Sequence, residues 1–319
     1  MARTVLRLSR RRAHMPCPRR CARRGRRRPT PRRTAPGGSS PLPHRTAWLS
    51  LRTSGHRGRR KGGTMTALPR RLGPGLYWLG DCIKTQHAGR TYHAYNSVYI
   101  VSGEDRSVLV ETGFPADLPM LGRQIDELLA SGAVAPLEYL FVTHQETPHA
   151  GGLGRFLEKF PDAVAVGGVE DLDQIFPRHA ERLHLVGTSA EFDLGGRSFR
   201  ITPGVIRDLI TTYWGFDTLT RALFPGDGFA YSHFHEEGHC GLVAEEAATL
   251  DVPAMTALFA EFALHWTRFT DVEPYLVELD RLIADLDVTL VGPTHGLPIT
   301  SLPQTLPLVK RGFRAGADA

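Results

Sequence analysis

Three short strand-like runs in this chain are each followed within a few residues by side chains that commonly bind metal ions. The runs are 140–142, 222–224 and 289–291, and the residues that follow them are His144, Glu146 and His149, then Asp227, and finally His295. Short apolar runs bounded by turn residues are typical of buried strands, so each of these side chains is predicted to lie at a strand end. Imidazoles and carboxylates that converge there form the donor set of a metal centre. The sequence therefore predicts a fold in which distant strands end at one metal site.

The first of these loops can be interpreted in two ways. His144, Glu146 and His149 stand at positions i, i+2 and i+5, so a turning loop can point all three side chains into one cavity. Alternatively, the loop is simply polar and its histidines cap the helix that follows. The distant Asp227 and His295 favour the metal site, because three strand ends that each finish in a ligand-type residue are hard to obtain by chance.

The order of these motifs, strand-His-x-Glu-x-x-His, strand-Gly-Asp and strand-Thr-His-Gly, resembles that of the metallo-β-lactamase fold. Within that fold it resembles the diiron domain of flavodiiron, or oxygen-binding diiron, proteins. Segments 95–101 and 108–113 are similar to the paired opening strands of that branch. The resemblance covers roughly residues 76–299. It implies an α/β (α+β) fold, an αββα sandwich that forms a single domain over residues 65–319. The alternation of strands and helices in both halves is typical of helices packed outside two sheets.

The resemblance also assigns the metal ligands. It implies two metal ions that share Asp227 as a bridging carboxylate. His144 and Glu146 would bind one ion, and His149 and His295 the other. Zinc hydrolases of this fold usually carry a neutral histidine at the position of Glu146. A hard anionic oxygen there stabilises Fe(III), so we expect iron, with zinc or manganese as alternatives, and we expect Asp227 and Glu146 to take part in catalysis.

Two positions depart from the family pattern. Pro148 stands where the family has an aspartate and Ile206 where it has a histidine, so one ligand of each metal is missing. Asp208 is a candidate substitute if its side chain turns inward. The alternative, which the sequence favours, is a surface carboxylate beside Arg207.

Other histidines and the cysteines are further candidates. His233 is a candidate for contact with the metal ligands, because the resemblance implies a histidine near the metals in this region. His87 and His93 precede the opening strand, where the family places a histidine that lines the gas pocket; solvated loop histidines are the alternative. Cys82 and Cys240 are too few and too scattered for a disulfide framework or a four-thiolate zinc site, so they indicate no more than a reducing compartment.

The basic charge of the chain is concentrated at its start. Residues 1–64 contain 20 Lys and Arg and no Asp or Glu, whereas the remainder has 19 basic and 33 acidic residues. This tract is rich in Arg, Pro, Gly and Ser, cannot bury enough apolar surface to fold, and is predicted to be disordered. It can be interpreted as a nucleic-acid-binding arm or an organelle transit segment. We favour a third interpretation, in which translation starts at Met65, and we expect no nucleic acid on the folded domain.

Location and partners follow from what the sequence lacks. No run approaches the ~20 apolar residues of a membrane span, and the basic tract has no apolar core of a secretory signal. We therefore expect a cytoplasmic protein with no membrane partner. No flavin cradle follows the last motif before Ala319, so we expect no flavin on this chain and electrons from a separate donor protein or from the substrate. A homodimer is implied by the family resemblance alone.

Three functions are compatible with the sequence. The first, favoured by the two carboxylates of the ligand set, is an iron-dependent oxidoreductase that acts on or with O2 or NO. The second is a hydrolase in which zinc- or manganese-bound hydroxide attacks a thioester, ester or lactone. The third, motivated by Pro148 and Ile206, is a degenerate metal-binding sensor.

Overall fold

The computed structural model describes residues 68–87, 89–229 and 235–317. The basic tract 1–64 lies outside these ranges, so its predicted disorder and the proposed start at Met65 stay predictions. Within the described ranges, no helix combines the length and the apolar character that crossing a membrane requires.

Within the described residues, fourteen strands form two main sheets and one separate hairpin. In chain order the strands are β1 (Arg70–Gly73), β2 (Leu76–Leu79), β3 (Ile83–His87), β4 (Arg90–Ala94), β5 (Val98–Ser102), β6 (Ser107–Val110), β7 (Leu137–Val142), β8 (Val164–Gly167), β9 (Leu183–His184), β10 (Glu191–Asp193), β11 (Ser198–Pro203), β12 (Tyr213–Asp217), β13 (Ala222–Phe224) and β14 (Leu290–Val291). One sheet has seven strands in the order β1-β2-β5-β6-β7-β8-β9, the other has five in the order β10-β11-β12-β13-β14, and β3 pairs with β4 alone.

In the same described ranges, seven α-helices connect these strands or follow them. They are α1 (Leu118–Ala130), α2 (Thr147–Ala150), α3 (Leu153–Lys159), α4 (Leu172–Ile175), α5 (Val252–Ala263), α6 (Glu273–Leu286) and α7 (Leu302–Ala317). Short 3₁₀ helices cover Pro177–Arg182, Glu237–His239, Ala244–Glu246 and His265–Phe269.

The buried side chains of the seven-stranded sheet alternate between two layers. On β5, Val98 and Ile100 join an apolar cluster that also contains α1 and α3, whereas Tyr99 and Val101 join the cluster of the second sheet and of α5, α6 and α7. This alternation follows from the two-residue period of a strand, which sends successive side chains to opposite faces. Both faces of the sheet are therefore covered, and the expected αββα sandwich is confirmed.

The parallel pairs align the strand ends that carry the predicted ligands. In the first sheet β6 pairs parallel with β7 and β7 with β8, and in the second sheet β13 pairs parallel with β14. Parallel neighbours present their carboxyl ends at the same edge of a sheet, so the segments after β6 and β7 lie together, as do those after β13 and β14. The hydroxyl of Thr294, after β14, donates to the carboxylate of Glu111, after β6, at 3.0 Å and so joins the two edges.

One predicted helix is interrupted. The apolar pattern of 169–183 predicts a continuous helix, but the chain forms only α4 and the 3₁₀ helix Pro177–Arg182. Asp171 precedes α4 in the left-handed region with φ 59°, and Phe176 leaves the helical region at φ −119° and ψ 59°. The ring of Pro177 disfavours a helical conformation of the residue before it, which explains the break.

Glu245 ties the start of α7 to the neighbouring 3₁₀ helix. Its carboxylate accepts hydrogen bonds from the backbone N–H of Thr300 and of Ser301, both at 3.0 Å, and from the hydroxyl of Thr305 at 2.9 Å. Burial raises the pKa of Glu245, but these donors outweigh it and hold the pKa below its ordinary value. The charged form therefore stabilises the folded state.

We predict that Glu245→Gln lowers the free energy of unfolding by about 1 to 2 kcal/mol near neutral pH, because the donors lose a charged acceptor. Since the folded pKa is depressed, this stabilisation is fully present above the unfolded glutamate pKa of about 4.3 and is lost as the pH falls through the folded value. Urea unfolding at neutral and acidic pH measures the difference. Glu278→Gln, on the exposed face of α6, is the matched control, and an equal loss from Glu245→Gln at both pH values would contradict the prediction.

Candidate metal centre

The loop after β7 is shaped to present three ligand-type side chains. Glu146 has an extended backbone, with φ −71° and ψ 155°, and stands immediately before α2. Pro148 lies in the first turn of α2, where its fixed φ suits a helix and its missing N–H is not needed. Pro148 thus takes no part as a ligand but begins the turn that carries His149. The loop therefore turns between Glu146 and His149, as their spacing in the sequence predicts.

The five ligand-type residues expected from the sequence come together. Donor atoms of His144, Glu146, His149 and Asp227 all lie within 4.8 Å of one another. His295 joins them, with its Nε2 3.5 Å from Oδ1 of Asp227, and the Nε2 of His149 is 3.3 Å from the same oxygen. All are buried except Glu146, which is partly exposed.

Asp208 is a sixth member of this group. Its Oδ2 lies 2.9 Å from Nε2 of His144, and its side chain is 5% exposed. The favoured prediction, a surface carboxylate beside Arg207, is therefore wrong: Arg207 is exposed and Asp208 turns inward. The hydroxyl of Thr212 donates to Oδ1 of Asp208 at 2.8 Å and holds the carboxylate in this orientation. Ile206, at the position where the family has a histidine, is buried in the apolar core.

The candidate centre, defined here as His144, Glu146, His149, Asp208, Asp227 and His295, has polar atoms that point at one another without hydrogen bonds. Among the described residues, four of its buried atoms have no hydrogen-bond partner: Nε2 of His144, Nε2 of His149, Oδ2 of Asp208 and Oδ1 of Asp227. Buried polar atoms without partners are costly and rare. Ligands about 2.1 Å from a metal ion would lie about 3.0 to 3.4 Å apart, close to the contacts above. The residues therefore fit a metal ion.

Glu111, which the sequence did not single out, fixes one of these imidazoles. Its Oε1 lies 3.0 Å from Nδ1 of His149 and accepts hydrogen bonds from the hydroxyls of Thr143 at 2.6 Å and Thr294 at 3.0 Å. A proton on Nδ1 leaves the lone pair of Nε2 directed at the candidate centre. Glu111 itself adopts φ 65°, which is uncommon for a residue other than glycine. In the sequence it was only the end of an opening strand.

The other two imidazoles are held in the same way. The Nδ1 of His144 lies 3.0 Å from the hydroxyl of Thr143, which already donates its proton to Glu111 and so accepts from the histidine. The Nδ1 of His295 lies 3.0 Å from the backbone carbonyl of Tyr95. All three histidines therefore present Nε2 to the candidate centre.

The electrostatics of the candidate centre are dominated by burial and by the paired charges. Burial raises the pKa of Asp227, but His295 and His149 outweigh it and hold this pKa well below the ordinary range. Burial likewise raises the pKa of Asp208, and contact with His144 lowers it below the ordinary value. For Glu146, burial and the charge of Asp227 act together and raise the pKa. Asp227 and Asp208 are thus anionic donors within a group of imidazoles.

Two other candidates stay predictions. His233 lies outside the described residues, and of His87 only the backbone, at the end of β3, is described. His93, which was grouped with His87, is buried and lies in a second cluster that is taken up below.

Comparison with known proteins identifies a family and several relatives that this sequence resembles. The family model of the metallo-β-lactamase superfamily matches residues 91–295. The coenzyme F420H(2) oxidase of Methanothermobacter marburgensis is 24% identical over 253 residues, which cover 73% of this chain and 58% of the relative. The nitric oxide reductase of Moorella thermoacetica is 24% identical over 241 residues, which cover 70% of this chain and 55% of the relative. The chain thus spans between half and two thirds of the length of these relatives.

A solved structure gives the same result for the fold. The flavodiiron protein from Giardia intestinalis superimposes with a TM-score of 0.61 at 14% identity, over 81% of this chain and 61% of that protein. At this identity the likeness concerns the fold. Because the family model matches more than half of the sequence and the αββα sandwich agrees with it, the chain belongs to the metallo-β-lactamase superfamily, in which it resembles the diiron domain of flavodiiron proteins.

Proposed function

We propose that this protein is a non-haem diiron oxidoreductase that acts on or with O2 or NO and receives electrons from a separate donor protein. The observation that carries this proposal is the inward turn of Asp208, which gives the candidate centre three carboxylates beside three imidazoles. The names of two relatives, an F420H(2) oxidase and a nitric oxide reductase, support the same class of reaction.

The donors divide into two sets around Asp227. His144, Glu146 and Asp208 would hold one iron ion, because Asp208 lies against His144. His149 and His295 would hold the other, because both approach Oδ1 of Asp227. Asp208 thus supplies the donor that Ile206 cannot, whereas no described side chain replaces the aspartate at the position of Pro148. The second ion would keep fewer protein ligands and more room for a small molecule.

The charge of this donor set favours iron over zinc. Three carboxylates give the candidate centre more negative charge than the histidine-rich sites of zinc hydrolases, and hard anionic oxygens stabilise a trivalent ion more than a divalent one. When bound, an iron pair would supply the electrons that reduce the diatomic substrate. A hydrolase does not need this much negative charge around its metal ions. The identity of the bound metal therefore distinguishes the oxidoreductase from the hydrolase.

The protein itself would position the ions and limit solvent. Glu111 and Thr143 fix the ring orientation of His149 and His144, and the carbonyl of Tyr95 fixes that of His295. The ring of Phe259 lies 5.5 Å from the ring of His295 and adds an apolar wall. Glu146 is the partly exposed residue of the five that the sequence predicted, so we propose that solvent and a small substrate approach from its side.

Our first prediction for the candidate centre is that protein purified anaerobically after iron supply contains about two iron ions per chain there and consumes O2 or NO when a chemical reductant replaces the donor protein. Metal analysis and an oxygen or NO electrode measure both quantities. Stoichiometric zinc in the candidate centre, with thioester or lactone hydrolysis and no iron-dependent gas uptake, would instead support the hydrolase. Absence of any metal from the candidate centre after supply of iron and zinc would support the sensor.

A second prediction concerns Glu146→His, which replaces an anionic oxygen with a neutral nitrogen. We expect the variant to fold, because a loop residue at a strand end carries little of the core. Its metal preference should shift from iron towards zinc and its gas uptake should collapse, since the loss of one negative charge disfavours Fe(III) most. Competition of iron and zinc for the apoprotein measures the shift. Glu127→His, on the exposed face of α1, is the control, and identical metal preference in both variants would show that Glu146 is not a ligand.

A third prediction tests Asp208 as a ligand. Asp208→Asn keeps the size of the side chain and its contact with Thr212 but removes the charge, so the iron content of the candidate centre should fall from about two towards about one per chain. Iron analysis after gel filtration gives the content, and circular dichroism verifies the fold. Asp285→Asn, an exposed change on α6, should leave it unchanged. Undiminished iron in Asp208→Asn would place Asp208 outside the donor set.

A further inference from the structure

A second cluster of metal-type side chains lies outside the candidate centre. Donor atoms of Cys82, His93, His235 and Cys240 all lie within 4.8 Å of one another. His93, His235 and Cys240 are buried, and Cys82 is partly buried. From the sequence alone, the two cysteines are too scattered to form a site, and His93 is expected to be a solvated or pocket-lining histidine. The structure instead brings all four into one group, called the hairpin site below.

The distances within the hairpin site fit a tetrahedral ion. Sγ of Cys82 lies 3.2 Å from Nδ1 of His93, 3.5 Å from Nε2 of His235 and 3.3 Å from Sγ of Cys240. Sγ of Cys240 lies 3.1 Å from Nδ1 of His93. Zinc with Zn–S of about 2.3 Å and Zn–N of about 2.0 Å places its tetrahedral ligands about 3.3 to 3.8 Å apart. One small shift outward of each donor atom would make room for the ion.

The backbone holds these side chains in place from two directions. Cys82 immediately precedes β3 and His93 lies on β4, where it pairs with Lys84. His93 and His235 then exchange two backbone hydrogen bonds, from the N–H of His93 at 3.0 Å and from the N–H of His235 at 2.8 Å. This antiparallel contact carries the segment that starts at His235 to the hairpin, and Cys240 follows five residues later.

In the part of the chain that the structure describes, the hairpin is separate from the two main sheets. The strands β3 and β4 form a sheet of their own and pair with neither main sheet. Isolated two-stranded hairpins are marginally stable in water. A metal ion that joined Cys82 and His93 to His235 and Cys240 would fasten the hairpin to the segment 235–240 by bonds that neither element makes alone.

We propose that Cys82, His93, His235 and Cys240 bind one zinc ion in a closed, structural site. Two thiolates and two imidazoles are a common donor set of structural zinc, and four protein ligands leave no open position for a substrate. The softer sulfur donors also distinguish this site from the carboxylate-rich candidate centre. The proposal does not depend on the proposed function, because the two sites share no residue.

Tyr95 connects the hairpin site to the candidate centre. Its ring stacks on that of His235, with 5.2 Å between the centroids and 12° between the planes. Its hydroxyl accepts a hydrogen bond from the N–H of Gly241 at 2.7 Å, and its carbonyl lies 3.0 Å from Nδ1 of His295. Zinc at the hairpin site would therefore stiffen a residue that orients one imidazole of the candidate centre.

The proposal can be tested on the full chain without any variant. We expect protein loaded with Co²⁺ in place of zinc to show thiolate-to-cobalt charge-transfer absorption, which a site of nitrogen and oxygen donors cannot give. Added Zn²⁺ should abolish that absorption. Peptide-level alkylation should modify Cys82 and Cys240 slowly in the zinc-loaded protein and rapidly after chelation. Absence of the charge-transfer band would overturn the proposal, as would equal rates of alkylation of Cys82 and Cys240 with and without zinc. Iron in the hairpin site after expression with both metals would overturn it as well.

Variants then assign the ion to these residues. The double variant Cys82→Ser with Cys240→Ser should lose about one zinc per chain and the cobalt band, and added zinc should raise the Tm of the wild type but not of the double variant. His144→Ala provides the matched control, because it removes a ligand of the candidate centre and should keep the hairpin zinc. If the double variant does not fold, the single change Cys82→His, which retains a zinc donor, should fold with zinc and with a weaker cobalt band. Undiminished zinc in the double variant, or an unaltered cobalt band in Cys82→His, would overturn the proposal.

Discussion

A buried carboxylate, that of Glu111, connects the strand ends on which the candidate centre is built. Glu111 follows β6, Thr143 follows β7 and Thr294 follows β14, so its hydrogen bonds join strands of both sheets. Burial alone would raise the pKa of Glu111, but the charge of His149 and the hydrogen bonds outweigh it and keep the pKa low. An anion in this position is tolerable only because every oxygen contact is made by a donor. The same contacts aim His149 at Asp227.

The cost of burying this many charged groups explains why the candidate centre fits a cation. His149 is contacted by Glu111 on one nitrogen and by Asp227 on the other, and these charges raise its pKa well above the ordinary value although burial opposes them. Without a metal ion, a proton on His149 offsets part of the negative charge of these carboxylates. With an ion, Nε2 must be deprotonated, so metal binding releases protons and is favoured by higher pH. Folding energy and metal affinity are therefore coupled through the same side chains.

The sequence predicted the parts of the structure that depend on local pattern. Strand periods, the two-sheet sandwich and the convergence of His144, Asp227 and His295 follow from apolar runs and from the residue types at their ends. The inward turn of Asp208 was not predictable, because it depends on a hydrogen bond from Thr212 and on the conformation of a loop. Local pattern does not predict helix α7, because its prolines and glycines, among them the internal Pro307, are typical helix breakers. Tertiary packing overrides that local preference.

The hairpin site also depends on contacts between distant segments, which local sequence pattern does not predict. Cys82 and Cys240 are 158 positions apart and belong to no paired-cysteine motif, so spacing alone carried no signal. What brings them together is the backbone pairing of His93 with His235, a contact between a short hairpin and a loop. The hairpin pairs with neither main sheet, whereas the residues of the candidate centre follow strands that belong to the two sheets. The types of ligand atom also differ between the two sites. Hard carboxylates lie at the candidate centre, where we propose chemistry. Soft thiolates lie at the hairpin site, where we propose a metal cross-link.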